Sequence, residues 1–290
     1  MIKPRFPIYI PSYDRWQKGR HPTMEALDEM EVPYKIVVRA EEYEKYIKVF
    51  GKEKVLKCPQ KFIDEYETCD DLGESKSKGS GPQRNYGGYH SKEHGYDYHW
   101  IMDDNIDGFF LYKDNRQIKL NSGAFFRIME NFVLKYKNIG MAGPQYKLFI
   151  PRKAKVAPLI FNTRIYSCNL INNNTPWKWR GRYNEDTIFS LDLLKDGYCT
   201  VLFNILLQNK TPTQIIKGGN TEILYGKGTY TKSQLLKDAH PDVTEVKFKF
   251  HRWHHEVDYS IFKQIKLIPQ DEDKLPSDIN ETFDFELKNE

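Results

Sequence analysis

Two adjacent carboxylates and an amide, Asp103-Asp104-Asn105, follow the apolar run Tyr98-His99-Trp100-Ile101-Met102. Hard oxygen ligands at a strand end suit Mg2+ or Mn2+ shared with a diphosphate, since such an ion takes one or two carboxylates and fills its shell with phosphate oxygens and water. The same three residues also make an ordinary turn. A second acidic pair, Glu185-Asp186, follows Asn184 at the head of a helix. One of these acids could draw a proton from a hydroxyl, or both could simply complement the helix dipole. Just before them, Trp177-Lys178-Trp179-Arg180-Gly181-Arg182 interleaves aromatics with cations, as a surface that stacks on bases and neutralises phosphates must. Its tryptophans are equally at home in a core. His251-Arg252-Trp253-His254-His255 offers imidazoles for a metal or a pyrophosphate, or a surface histidine cluster. Its spacing is not that of a zinc site. On a strand, His251, Trp253 and His255 would share one face.

Those residues need elements to hold them. Residues 6–10 form an apolar run closed by Pro11-Ser12 and read as a buried strand. The pattern then predicts a helix over 22–30, a strand over 34–38, a helix over 41–50 and a strand over 54–58, which is the alternation of βαβ units and a parallel sheet. A Gly/Ser-rich loop over 68–82, including Gly73, Ser75 and Ser77, interrupts it. A helix over 83–94 follows, then strands over 98–102, 109–112 and 117–120, a helix over 122–137, and strands over 139–143 and 165–171. Asn184 reads as the N-cap of a helix stopped by Gly197. A strand over 198–203 and a helix over 233–239 complete the pattern. In open α/β sheets ligands bind beyond the carboxyl ends of strands. Ser12-Tyr13-Asp14-Arg15, Arg39 with Glu41-Glu42, and Asp103-Asp104-Asn105 all fall there. Arg84-Asn85 enters its helix after Gly81-Pro82-Gln83, where backbone amides and Arg84 suit a phosphate. No Walker or dinucleotide glycine pattern is present.

The chain has 290 residues, 39 % hydrophobic and 29 % charged, enough for a real core. No apolar stretch has the ~18 residues of a membrane span, and residues 1–10 lack the run of a signal peptide. Cys58, Cys69, Cys168 and Cys199 show no disulfide or zinc spacing. These features predict a soluble intracellular protein. The net charge of +4 divides into −6 from Pro269 to Glu290 and +10 before it. A basic body admits an anionic partner. The tail after Leu267 loses periodicity and is expected to be loosely held.

Taken in order, these clusters resemble a nucleotide-sugar glycosyltransferase of the A-type fold, and more closely the phage TET-associated DNA glycosyltransferases. The stretches concerned are Ile8 to Ser12, His99 to Ile106, Phe161 to Cys168, Trp179 to Thr187, Lys217 to Thr221 and Arg252 to His255. Where that family has Arg-Trp-Gln-His-His, this chain has Arg252-Trp253-His254-His255-Glu256. The resemblance implies one domain over 1–268, with a nucleotide-sugar half (1–105) and an acceptor half (106–268), and an acidic tail (269–290). It implies an α/β, Rossmann-like, mainly parallel sheet flanked by helices, with a smaller acceptor-side sheet. The reaction implied is transfer of a sugar from a UDP-sugar onto 5-hydroxymethylcytosine in DNA, after a TET-like dioxygenase has made the hydroxyl, in the cytoplasm of an infected bacterium. Pro11, Ser12, Arg15, Arg39 and Glu41 would surround uridine and ribose, with Gln83, Arg84, Asn85, Asp103 and Asn105 completing the donor site. Asp104 and His255 would hold Mn2+ or Mg2+. Asp186 would be the base, supported by Glu185, with the helix dipole keeping it ionised. Trp177, Trp179, Arg180 and Arg182 would hold DNA. A protein or polysaccharide acceptor, or a non-catalytic nucleic-acid-binding protein, are the alternatives.

Overall fold

The computed structural model describes residues 2–17, 19–71, 79–210 and 228–281. Gly73, Ser75 and Ser77, the stretch Lys217 to Thr221 and the tail beyond Glu281 lie outside the described residues.

Fully apolar short runs become buried strands. β1 (Ile8–Pro11) and β4 (Tyr98–Met102) are buried along their whole length. Between them the chain forms α1 (Pro22–Glu29), β2 (Lys35–Val38), α2 (Tyr43–Phe50), β3 (Val55–Lys57), α3 (Gln60–Asp64) and α4 (Gly81–Glu93). Then come β5 (Ile106–Lys113), β6 (Arg116–Lys119), α5 (Ala124–Val133), β7 (Ile139–Tyr146), β8 (Leu159–Phe161), β9 (Cys168–Asn172), α6 (Glu185–Lys195), β10 (Cys199–Lys210), α7 (Gly228–Ala239), β11 (Thr244–Lys249) and β12 (Arg252–Val257).

One sheet runs β3-β2-β1-β4-β9-β7-β10-β5-β6, with β8 also paired to β10. β3, β2, β1 and β4 are mutually parallel, and β7 and β10 continue in that direction. The antiparallel β9 lies between β4 and β7. Most strands thus point one way, as the alternating first third predicts. Strands from both sequence halves share the sheet. The small second sheet is the hairpin β11-β12. Trp100, Phe109, Phe125 and Phe126, all fully buried, interlock edge to face beneath the sheet. Glu130 of α5 is also buried and accepts the backbone N–H groups of Arg5 and Phe6 and the Trp100 indole N–H, so it ties the N-terminal segment to this core.

Two expectations about local structure change. Residues 269–281 are docked rather than loose. Pro269 bridges to Tyr136, Asp278 pairs with Arg5 and Arg127, and Ile279 is buried. The acidic segment settles against the cations at the N-terminus and on α5. His251 does not share a strand face with Trp253 and His255, because Phe250 and His251 form the hairpin turn with φ of 51° and 59°. Cys58, Cys168 and Cys199 are buried, and all four cysteines are free. No helix among the described residues is long and apolar enough to cross a membrane.

Candidate active site

The carboxyl ends of β1 and β4, the start of α4 and the start of α6 converge on one open cleft of about 350 Å3. Its floor is the turn after β4. Asp103 is fixed by its own backbone: its N–H donates to the Ser167 carbonyl at 2.8 Å, and its carbonyl accepts from the Thr23 hydroxyl at 2.6 Å. Thr23 also accepts the Ile106 N–H at 2.8 Å, which closes the turn. The three residues therefore form a turn and also face a site.

The Asp103 carboxylate is held from two sides. Arg84 Nη2 lies 2.6 Å from Oδ1, and Lys210 Nζ lies 2.6 Å from Oδ2. Burial alone would raise its pKa, but Lys210 and Arg84 override that and hold it well below the usual carboxylate range. Lys210 also donates to the Ser167 hydroxyl at 2.8 Å. Asp104 sits deeper against β1. It pairs with Arg15 through Oδ1 and accepts from the Ser12 hydroxyl through Oδ2 at 2.7 Å. Burial pushes this carboxyl up, against the pull of Arg15 and Ser12.

Across the cleft stands the α6 N-terminus. Asn184 occupies the position before the helix, as expected, yet it does not cap with its side chain. It lies in the left-handed region (φ 57°), and its amide N–H donates to the Lys232 carbonyl at 2.7 Å. Asp186 accepts from the Asn169 amide at 3.0 Å and lies 3.3 Å from Arg84 Nη1. Glu185 is farther from that guanidinium, at 3.9 Å. Burial pushes the Asp186 carboxyl up to about 7, with Arg84 opposing and Glu185 and Asp103 reinforcing the rise. Burial favours the neutral form of the carboxyl.

Arg84 is the hub, touching Asp103, Glu185 and Asp186 from the second turn of α4. Its guanidinium also lies 4.6 Å from the Trp179 ring centre, which stacks on Phe189. Gly81 opens this helix because a Cβ there would collide with the Tyr66 ring, whose hydroxyl anchors the Gly181 carbonyl.

Of the residues singled out from sequence, Pro11, Ser12, Arg15, Gln83, Arg84 and Asp103 line the cleft. So do Asp104, Asn105, Arg182, Glu185, Asp186 and His255. Arg39 stands behind the wall, its guanidinium 4.1 Å from the Tyr13 ring and bonded to the Gly79 carbonyl. Glu41 is exposed and outside the lining. Its neighbour Glu42 is the buried acid, receiving the Asp14 N–H. Asn85 clamps the Trp179 backbone in both directions, at 2.9 and 2.8 Å, and so does not reach the cleft.

The proposed DNA residues also largely turn inward. Trp179 is buried, Arg180 forms a bidentate pair with Asp192 at 2.9 and 2.8 Å, and Arg182 grips Asp70 at 2.6 Å. Trp177 is half-buried, and with Trp179 and Asn85 it lines a separate cavity of about 370 Å3. Lys210, Asn169 and Tyr146 were not singled out. No local motif marks them, since they reach the site only through sheet pairing.

The carboxylates expected to hold Mn2+ or Mg2+ are here engaged by protein donors. Both oxygens of Asp103 and both of Asp104 already receive donors. Among the described residues no group of three or more His, Cys, Asp or Glu gathers to hold a metal ion. His255 lines the cleft, and burial beside Lys232 and Arg164 lowers its pKa to about 4.

A polar cleft, a buried acid of raised pKa and a cluster of cations form a site that can take an anionic donor and deprotonate an acceptor. No curated protein matches the sequence. A sequence profile of TET-associated glycosyltransferases matches residues 6–219, which cover the β1 end, Arg84, the Asp103 turn, the α6 N-terminus and Lys210. The chain belongs to the TET-associated glycosyltransferase family.

Proposed function

We propose that the protein moves a sugar from a UDP-sugar onto the hydroxymethyl oxygen of 5-hydroxymethylcytosine in DNA, by direct displacement on an A-type glycosyltransferase scaffold. The observation that carries this reading is Asp186, a buried acid whose carboxyl is pushed up to about 7 and which stands 3.3 Å from Arg84 in a cleft that Arg15 and Lys210 also line. A base must be ionised to accept a proton yet basic enough to draw it, and a pKa near the working pH serves both needs. The hydroxymethyl oxygen attacks the anomeric carbon as its proton passes to Asp186. The bond from that carbon to the β-phosphate oxygen breaks, and its electron pair leaves with UDP. Inversion follows from a single displacement.

The charge on departing UDP is met by fixed cations. Arg84 and Lys210 are both moored on Asp103, and Arg15 on Asp104. Preorganised donors of this kind lower a barrier because they need no rearrangement as charge develops. No step is assigned to a divalent ion. Uridine is placed against Pro11, Ser12 and Tyr13 at the β1 end.

The test is incubation with a panel of UDP-sugars and hydroxymethylated duplex DNA, followed by digestion to nucleosides and mass measurement. A nucleoside heavier than 5-hydroxymethylcytosine by one sugar is expected. Unchanged DNA with every donor, alongside measurable hydrolysis of a UDP-sugar, would overturn the acceptor assignment.

A further inference from the structure

A further cavity, of about 200 Å3, opens beside the active-site cleft. Tyr146 and Tyr166 border both. Their rings lie nearly parallel, with centroids 6.1 Å apart. The Tyr146 hydroxyl pairs at 2.6 Å with the Ser167 hydroxyl, which Lys210 also reaches. The Tyr166 hydroxyl accepts from Thr187, one residue past Asp186, at 3.3 Å. The two tyrosines therefore divide the cavity from the reacting groups. Beyond them Pro144, Phe149, Ile160 and Leu202 make apolar walls.

Within this lining Gln208 and Arg164 hold unused bonding capacity. Gln208 of β10 is 1 % exposed. Its Nε2 donates to the Tyr166 carbonyl at 2.7 Å and to the Pro144 carbonyl at 3.4 Å. Only the amide nitrogen can meet two carbonyls, which fixes the sense of the side chain. Its Oε1 is buried without a partner among the described residues. A buried acceptor without a donor is costly, and Gln208 lines the cavity. It stands two residues before Lys210, which lines the cleft, a separation of about 7 Å along a strand. Arg164 is exposed, with its guanidinium 5.5 Å from the Tyr166 ring centre and 5.9 Å from that of Tyr259. Among the described residues it makes no ion pair with a carboxylate. Its own stretch of chain offers none, since residues 131–184 hold ten lysines and arginines and no acidic residue. Cation and rings here line the same cavity.

We propose that this cavity receives the acceptor base, drawn out of the DNA stack, and that Gln208 reads the exocyclic amine of cytosine there. The assignment rests on the DNA reading above and names the subsite and the specificity-determining residue that serve it. Enzymes that act on a base in a duplex extrude it and read its Watson–Crick edge in a pocket. Cytosine presents a donor, its N4 amine, where uracil presents an acceptor, O4. Oε1 can only accept, so it completes a hydrogen bond with the first and meets a lone pair on the second. The bidentate reading of adenine by glutamine is closed, because it needs the Nε2 that the Tyr166 and Pro144 carbonyls hold. In the acceptor base the amine and the hydroxymethyl group sit on neighbouring ring atoms. A base anchored at Gln208 therefore keeps its hydroxymethyl group beside that contact, near the tyrosine divide. Arg164 is left to meet a phosphate of the flanking backbone.

The test compares the full-length wild type, Gln208→Met and Arg164→Gln on two duplexes that differ in one base. That base is 5-hydroxymethylcytosine or 5-hydroxymethyluracil, each placed opposite guanine. The mismatch makes the uracil easier to extrude, so a preference for cytosine arises in the pocket. The readouts are kcat and KM for transfer, UDP affinity and thermal midpoint. We expect wild type to favour cytosine by at least about 10²-fold in kcat/KM, because a site built around a hydrogen bond rejects the analogue that cannot make it. Gln208→Met should cut that preference to below about 10-fold, through loss on cytosine, with UDP affinity unchanged. Arg164→Gln should raise KM for both duplexes alike and leave the preference intact, as loss of a phosphate contact does. Equal transfer to both bases by wild type overturns the role of Gln208 while the DNA reading stands. So does a folded Gln208→Met that keeps the wild-type preference. Should that variant fail to fold, the wild-type comparison of the two bases decides alone. Wild type that binds UDP but transfers sugar to neither duplex overturns the DNA reading, and the pocket assignment with it.

Discussion

At the scale of single residues, Asp186 and Lys210 are the decisive tests. Asp186→Asn should lower transfer about 10²- to 10⁴-fold, the usual effect of losing a positioned base, while UDP affinity stays near wild type. Because burial holds this carboxyl at about 7, it is protonated and idle in acid and available above neutrality. The rate should therefore climb about tenfold per pH unit up to about 7 and then level, and the limb should be absent from the residual activity of Asp186→Asn. A pH profile flat between 5 and 8 would remove Asp186 from the role. Lys210→Met should cost about 10²- to 10³-fold in kcat, as for other donors that meet developing charge. Wild-type transfer should survive excess EDTA. Loss of activity in EDTA, restored by Mn2+, would show that Asp103 and Asp104 exchange their cation partners for a metal. Asp103, Asp104, Arg84 and Asp186 were legible because each sits at a strand end or helix start that sequence pattern reveals. Lys210 and Asn169 were not, because each is an unremarkable residue of a strand until pairing brings it beside Asp103 or Asp186. Trp179 and Arg180 misled because alternating aromatic and cationic residues read as exposed. Their partners, Phe189 and Asp192, come from α6.

At the scale of elements, Glu130 on α5 offers a stability test. It is buried and receives three N–H groups, so Glu130→Leu would strand all three. Each stranded donor costs about 1–3 kcal/mol, and denaturant unfolding should show a loss of at least about 3 kcal/mol. Burial raises this carboxyl from 4.5 to about 7, against the backbone and indole donors. Its folded pKa lies above the unfolded one. Its contribution is thus full below about pH 4.5 and is lost as pH rises through about 7. Wild-type stability should sag across that window, and the sag should shrink in Glu130→Leu. Elements were legible where apolar period and punctuation agreed, as in β1, α1, β2 and β4. α3 and β8 are too short to show a period, whereas β11 alternates apolar and charged residues over Val246 to Lys249 and carries a strand period open to reading. β10 was foreseen only to Phe203 because its last residues, Gln208-Asn209-Lys210, are polar while still paired with β5.

At the scale of the whole molecule, the docked segment 269–281 and the basic body make separate predictions. Ending the chain at Leu267 removes buried Ile279, worth about 1.5–3 kcal/mol, together with the bridge at Pro269. The thermal midpoint should fall by roughly 5 °C. An unchanged midpoint would mean that the segment rests on the body without holding it. DNA affinity should fall with salt at a slope of about −0.9 per phosphate contacted, and removing residues 268–290 should strengthen binding because the tail carries −6. A flat salt response would count against a polyanionic acceptor.

Strand order also governs how this molecule can be made. Among the described residues β10 is the last strand of the large sheet to leave the ribosome, yet its place is between β7 and β5, both synthesised earlier. β9 likewise enters late, between β4 and β7. A nascent chain that has emerged only to Gly197 therefore carries two uncapped strand edges side by side, with no later element yet present to fill the gap. Open edges of apolar strands pair with whatever they meet. Synthesis through Cys199–Lys210 is the interval in which those edges are closed. Slow codons placed before that segment should lower soluble yield more than the same codons placed after it.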